Sequence, residues 1–207
     1  TGTRYFSQPL HSIEHREGVK IGQYFNRDSQ RNAGHVVRRI FAQRLDGDEL
    51  STSKAAMKIG IDFDNTLVNY ELAFAKVGKE EGFLPPEFDG GKLQAKDWLL
   101  QQRPDGYLWE KLQGIVYGRR IDAAEPYDGV LTFLRACRRA PDVETFIVSH
   151  KTLLAHHDGS GTNLRDAALK WLMKNNLFDD RYGIEITNVY FEGTRDEKVS
   201  RIKSLGL

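Results

Sequence analysis

Short apolar runs alternate with segments of helical spacing over most of this chain. Three runs rich in β-branched or aromatic residues predict buried strands, at 58–61, 145–148 and 187–191. Apolar residues three or four positions apart predict helices at about 70–81, 107–116, 126–140, 164–172 and 199–205. Asn163 is placed to cap the fourth of these. Strands that alternate with helices favour parallel pairing, so the pattern predicts an α/β sandwich.

The first part of the chain has a different pattern. Residues 1–56 show little periodicity apart from a predicted helix at about 33–45, and a polar linker follows at 46–53. We therefore expect an N-terminal extension of unknown role at 1–56 and an α/β domain at 57–207. The extension is richer in Lys and Arg than the rest, so a partner or a preceding domain is possible there. A solvated face is the more usual explanation for its arginines.

The amino-acid composition limits the cellular compartments and the classes of binding partner that fit this protein. The 207 residues are 40% apolar and 29% charged, with a formal net charge of +1. This balance is ordinary for a globular protein and makes nucleic-acid binding unlikely. The sequence has no apolar run long enough to span a bilayer. Cys137 is the only cysteine and lies in an apolar pattern, which predicts a buried thiol and a reducing, cytoplasmic setting.

The strongest chemical signal follows the first predicted strand. Asp62 and Asp64 stand two residues apart in Asp62-Phe63-Asp64-Asn65-Thr66. Such close carboxylates repel each other unless a cation neutralises them or one of them holds a proton, and Mg²⁺ prefers carboxylate oxygens. A calcium loop is excluded because Leu67 and Ala73 stand where it needs Gly and Glu. A solvated turn and the metal-binding pair of a nucleotide-sugar glycosyltransferase remain alternatives.

This run resembles the first motif of the haloacid dehalogenase superfamily, Asp-x-Asp-x-Thr after an apolar strand. Ser149, at the end of the second predicted strand, resembles its second motif, and Lys198, near the start of the last helix, its third. The resemblance implies a three-layer sandwich with a parallel, Rossmann-like sheet and a small helical cap at about 68–125. The family's fourth motif, an acidic pair after a further strand, would fall beyond Leu207. We therefore expect these 207 residues alone to be poorly active.

The same resemblance implies a Mg²⁺-dependent phosphomonoester hydrolase. Asp62 would be the nucleophile that forms an aspartyl-phosphate, and Asp64 the general acid and base. Ser149 and Lys198 would bind the phosphoryl group. Asp62 and Asp64, the latter through its backbone carbonyl, would hold Mg²⁺. A second acid in the first motif also argues against dehalogenation, because a halide leaving group needs no proton.

Other residues are candidates to contact the substrate, expected to be a small phosphorylated metabolite. Asn65, Thr66, His150 and Lys151 are the substrate-binding candidates. Aromatic residues of the cap region either face the substrate or belong to the core; they are Trp98, Tyr107, Trp109 and Tyr117. The run His156-His157-Asp158 is either a metal cluster or a solvated loop, the latter being more usual. A non-catalytic binding module with the same fold is the main rival.

The site also predicts a topology. Asp62, Ser149 and the region of Lys198 should converge at one end of a parallel sheet. We expect the Asp62 strand to lie between the other two, because that would place the nucleophile centrally.

Overall fold

The computed structural model describes residues 56–207 and shows a mixed α/β fold around a three-stranded parallel sheet. The sheet contains β1 (Met57–Ile61), β4 (Val143–His150) and β5 (Val189–Glu192). All three predicted strands are present, and their parallel pairing is confirmed. The extension, with its predicted helix at 33–45 and linker at 46–53, lies outside the described residues.

The predicted order of the strands is wrong. The spatial order is β1-β4-β5, so the strand that carries Ser149 is central and the Asp62 strand has one neighbour among the described residues. β4 is buried along most of its length, as expected for a central parallel strand. The sequence pattern identifies strands, but it does not say on which side of a strand its parallel neighbour pairs.

Six α-helices are present between residues 56 and 207. Five match the predicted segments, and Asn163 caps the fifth helix by accepting from the backbone N–H groups of Arg165 and Asp166. α2 was not predicted. The helices are α1 (Glu71–Glu80), α2 (Lys92–Gln102), α3 (Tyr107–Tyr117), α4 (Val130–Arg139), α5 (Leu164–Lys174) and α6 (Arg195–Leu205).

A helical unit is inserted between β1 and β4. A short antiparallel ribbon pairs β2 (Val68–Asn69) with β3 (Glu125–Pro126), so the two ends of the insertion lie side by side. Between them, α1, α2 and α3 pack on one another, and a 3₁₀ turn at Ile121–Ala123 packs against α1, α3 and α5. The ribbon holds the unit at the carboxyl end of β1, beside the Asp62 turn.

The core joins the sheet to its flanking helices. α4 and α6 both pack on β4, and α6 also contacts β5. Phe63, fully buried, makes edge-to-face contacts with Trp171 and Phe191. Cys137 is buried as predicted, and desolvation raises the pKa of its thiol to about 12, so the thiol stays protonated. Within residues 56–207, no helix combines the length and apolar character needed to cross a membrane.

Candidate active site

A tight turn after β1 presents the two acidic side chains. The backbone N–H groups of Leu67 and Val68 both donate to the carbonyl of Phe63, which reverses the chain within a few residues. Asn65 adopts a left-handed conformation, with φ of 55°, which Asn tolerates better than most residues. Phe63 anchors the turn in the core. Asp62 and Asp64, on either side of it, both reach the carboxyl end of the sheet.

Asp62 is held by residues from two distant parts of the chain. The Ser149 hydroxyl donates to its Oδ1 at 2.6 Å, and Lys198 Nζ lies 2.8 Å from its Oδ2. Ser149 sits near the end of β4, and Lys198 lies in the first turn of α6, where Thr194 and Glu197 form a capping box. The three residues therefore meet at one end of the sheet, as expected. The Asp62 side chain is 36% exposed, so it remains open to a ligand.

Asp64 has a second and more enclosed set of partners. Tyr70 donates its hydroxyl to Asp64 Oδ1 at 2.7 Å, and Lys151 Nζ lies 3.0 Å from Oδ2. The Lys151 side chain is only 2% exposed and lies near the rings of Phe63 and Tyr117. Burial, reinforced by the charge of Asp64, raises the pKa of Tyr70 well above 10. The Tyr70 hydroxyl therefore stays protonated and donates to Asp64.

Charge compensation at the site comes largely from lysines. Each carboxylate has one ammonium partner, Lys198 for Asp62 and Lys151 for Asp64, so the two negative charges are balanced within the protein. The sequence alone suggested that Mg²⁺ performs this task. The side chain of Asp62 and the carbonyl of Asp64 are the hard oxygen donors that Mg²⁺ prefers. Among residues 56–207 no cluster of three or more acidic, His or Cys side chains surrounds them.

A cavity of about 370 Å³ opens beside Asp64. One wall is a single face of α3, whose lining residues follow helical spacing, and the other wall is the segment that follows β4. The lining residues are Asp64, Glu110, Gln113, Gly114, Tyr117, His150, Lys151, Thr152, Ala155, His156 and Leu164. Gly114 allows this close approach, because a Cβ there would lie 2.7 Å from the Cβ of Ala155.

The four substrate-binding candidates have different positions. His150 and Lys151 line the cavity, and the His150 ring is also hydrogen-bonded to the carbonyl of Gly193. Asn65 and Thr66 do not line it. Asn65 accepts a hydrogen bond from Lys92, and Thr66 belongs to the turn that follows Phe63.

Lys92 and Tyr70 were missed by sequence reasoning. Lys92, the first residue of α2, donates to Asn65 Oδ1 at 3.0 Å and to the Tyr117 hydroxyl at 2.9 Å. Its ammonium also lies within 6 Å of the ring centres of Tyr70, Phe74 and Tyr117. These contacts connect the inserted helical unit to the Asp62 turn. No local spacing in the sequence marks either residue, since their partners come from other elements.

The four aromatic residues of the inserted helical unit have different positions. Trp109 is buried and stacks on Phe74, and Trp98 packs edge-on against Phe88. Tyr107 lies against the ring of His157. Tyr117 alone of the four lines the cavity.

The His156-His157-Asp158 run does not form a metal cluster. His156 lines the cavity, His157 is 3.2 Å from Glu110, and Asp158 accepts from Ser160. The three side chains thus have separate partners.

Comparison with known proteins gives no information on function, so a functional assignment depends on the geometry of the site. Searches of protein-family models, curated proteins and solved structures each found no match to this chain. What the arrangement offers chemically is a half-exposed carboxylate, an adjacent enclosed carboxylate, two lysines and a cavity. These features suit attack on an anionic substrate and proton transfer to its leaving group.

Proposed function

We propose that this protein is a phosphomonoester hydrolase that works through an aspartyl-phosphate on Asp62. The observation that carries the proposal is the environment of Asp62, an accessible carboxylate oriented by Ser149 and Lys198 at the carboxyl end of a parallel strand. Ligands of open α/β sheets bind at that end. A hydroxyl donor and an ammonium beside a carboxylate are the groups needed to hold a phosphoryl group during transfer.

In the proposed first step, an oxygen of Asp62 attacks phosphorus and the bond to the leaving oxygen breaks. Asp64 acts as the general acid in this step and gives a proton to that oxygen, and the alcohol departs. Ser149 donates a hydrogen bond to a phosphoryl oxygen, and Lys198 balances the negative charge. Tyr70 and Lys151 hold Asp64 in one orientation toward the cavity.

In the second step, water attacks the aspartyl-phosphate and Asp64 accepts its proton. The bond between phosphorus and the Asp62 oxygen breaks, which restores the carboxylate and releases inorganic phosphate. Mg²⁺ held by Asp62 and the Asp64 carbonyl would add positive charge at the phosphoryl group. The two lysines supply part of that charge from the protein itself.

The test uses p-nitrophenyl phosphate, whose small leaving group makes few demands on the cavity. Because the 207-residue chain is expected to be poorly active, we expect slow phosphate release in the presence of Mg²⁺, and an acid quench should trap one phosphoryl group per molecule, measured by intact-protein mass. Asp62→Asn should abolish both, because an amide is a poor nucleophile. Asp97→Asn, on the exposed side of α2, is the matched control and should retain both.

Two results would contradict the proposal. One is equal turnover by wild type and Asp62→Asn. The other is phosphate release that never yields a trapped phosphoprotein, even when quenched at early times under saturating substrate. Binding of a sugar nucleotide without phosphatase activity would instead favour the glycosyltransferase alternative.

A further inference from the structure

We infer that the leaving group of the substrate is an uncharged polyol, of the sugar or sugar-alcohol type, and that Glu110 selects against a second anionic group. This inference rests on the proposed phosphatase function. It concerns the end of the cavity away from Tyr117 and Lys151, defined here as the distal rim: Glu110, Gln113 and His156.

The distal rim lies about one substrate length from the reacting groups. Tyr117 marks the inner end of the cavity, because the ammonium of Lys151 lies 5.4 Å from its ring and Lys92 bonds its hydroxyl. Glu110 is seven residues earlier on the same face of α3, which corresponds to roughly 10 Å along a helix. His156 faces α3 from the opposite wall, and its carbonyl is close to Gly114. A six-carbon chain attached to the phosphoryl group spans this distance.

The two ends of the cavity differ in charge. At the inner end, Lys151 is paired with Asp64, whereas Asp62 and its partner Lys198 are not among the lining residues. At the distal rim, Glu110 is the one cavity-lining residue of formal charge, and its neighbour His157 is not part of the lining. An additional carboxylate or phosphate on the substrate would therefore lie against a carboxylate. Like charges at such short range are unfavourable.

The rim is nevertheless suited to hydroxyl groups. An ionised Glu110 only accepts hydrogen bonds, whereas the amide of Gln113 both donates and accepts. Together with His156, these side chains offer complementary partners to a chain of hydroxyls, each of which is both donor and acceptor. The cavity volume of about 370 Å³ lies toward the small end of the range for small-molecule sites, which runs from roughly 300 to 1,000 Å³.

The experiment compares two substrates of equal length that differ at the end remote from the phosphate. Sorbitol 6-phosphate ends in a neutral CH₂OH group, and 6-phosphogluconate ends in a carboxylate. We expect the wild type to have the higher kcat/KM for sorbitol 6-phosphate. Glu110→Gln, which keeps shape but removes charge, should reduce that preference by about fivefold, the effect of one screened charge at a few ångströms. Glu87→Gln, at an exposed position outside the cavity, is the control and should keep the wild-type preference.

The outcomes separate the inference from the proposed function. If p-nitrophenyl phosphate is hydrolysed normally but the preference is absent, or unchanged in Glu110→Gln, the inference is wrong and the phosphatase function stands. If no phosphate ester is turned over, the proposed function fails. The same two compounds are then compared by titration calorimetry, and a ratio of Kd values that does not respond to Glu110→Gln overturns the inference as well.

Discussion

Asp62 and Asp64 are two residues apart, yet they lie in different surroundings. Asp62 is 36% exposed and is held by Ser149 and by a lysine that is itself 21% exposed. Asp64 is 21% exposed and is held by a buried tyrosine and by Lys151, whose side chain is 2% exposed. The first environment leaves a carboxylate free to meet a substrate. The second fixes a carboxylate in one position and couples it to the stability of the fold.

The largest expected difference between Asp62 and Asp64 is in catalysis. Asp62→Asn should abolish turnover. Asp64→Asn should slow turnover of p-nitrophenyl phosphate by ~10²–10⁴-fold, the usual contribution of general acid–base catalysis. The trapped phosphoprotein should still form slowly, since Asp62 remains. Quench experiments on both variants check this. If Asp64→Asn never becomes labelled, the division of roles between the two acids is wrong.

The two variants should also differ in stability. Asp64→Asn leaves the buried ammonium of Lys151 without its ion-pair partner, and breaking a buried pair costs on the order of 3–5 kcal/mol. Asp62→Asn leaves a partly exposed lysine that water can solvate, so its cost should be under about 1 kcal/mol. Urea unfolding of the two proteins gives the comparison directly. Equal urea midpoints for the two variants would mean that the ion pair between Asp64 and Lys151 does not stabilise the fold.

A smaller effect is expected from the hydroxyl of Tyr70. Tyr70→Phe keeps the buried ring but removes one of the donors that orient Asp64. A hydrogen bond to a charged group contributes about 1.5–3 kcal/mol, so kcat should fall by roughly 10- to 100-fold. Tyr190→Phe, on β5, is the matched control. Loss of activity in both variants would point to a general disturbance of the fold.

The smallest effect concerns an ion-pair cluster whose arginines are partly exposed, in contrast to the buried Lys151. Glu81, at the end of α1, accepts from Arg119 and Arg120, and the hydrogen bond from Arg119 is the main reason that its pKa lies below the usual 4.5. A depressed carboxyl pKa contributes stability above the pKa of the unfolded chain, and this stability is lost as pH falls through the folded value.

Glu81→Gln should therefore lower the thermal midpoint slightly at pH 7, and the difference should shrink as the pH falls below 4.5 and vanish once it is below the lowered pKa of Glu81. Melting curves across this range, with Glu87→Gln as control, test it. A gap between wild type and Glu81→Gln that is independent of pH would mean that the charge of Glu81 is not involved.

Helices and strands could be predicted from the sequence where their buried apolar residues recur at regular spacing. The strands and five helices have such a pattern, and Asn163 is a local capping signal that needs no tertiary information. α2 was missed because its apolar residues do not share one face. Ala95 and Leu99 are buried, whereas Leu93 and Trp98 are exposed. The start of β5 was also placed two residues early, because a 3₁₀ turn at Ile186–Asn188 precedes it.

By itself, the sequence determined which candidate residues stand near each strand end, because these signals are local. Asp62 and Asp64 follow β1, Ser149 lies near the end of β4, and Lys198 lies in the first turn of α6. The tertiary structure alone decided how their charges are balanced. Lys151 reaches Asp64 across 87 positions of chain, and Lys92 reaches Asn65 from α2. Neither contact can be predicted from residue spacing within one helix or strand. Each depends on how the β1–β4 crossover and the inserted helices pack.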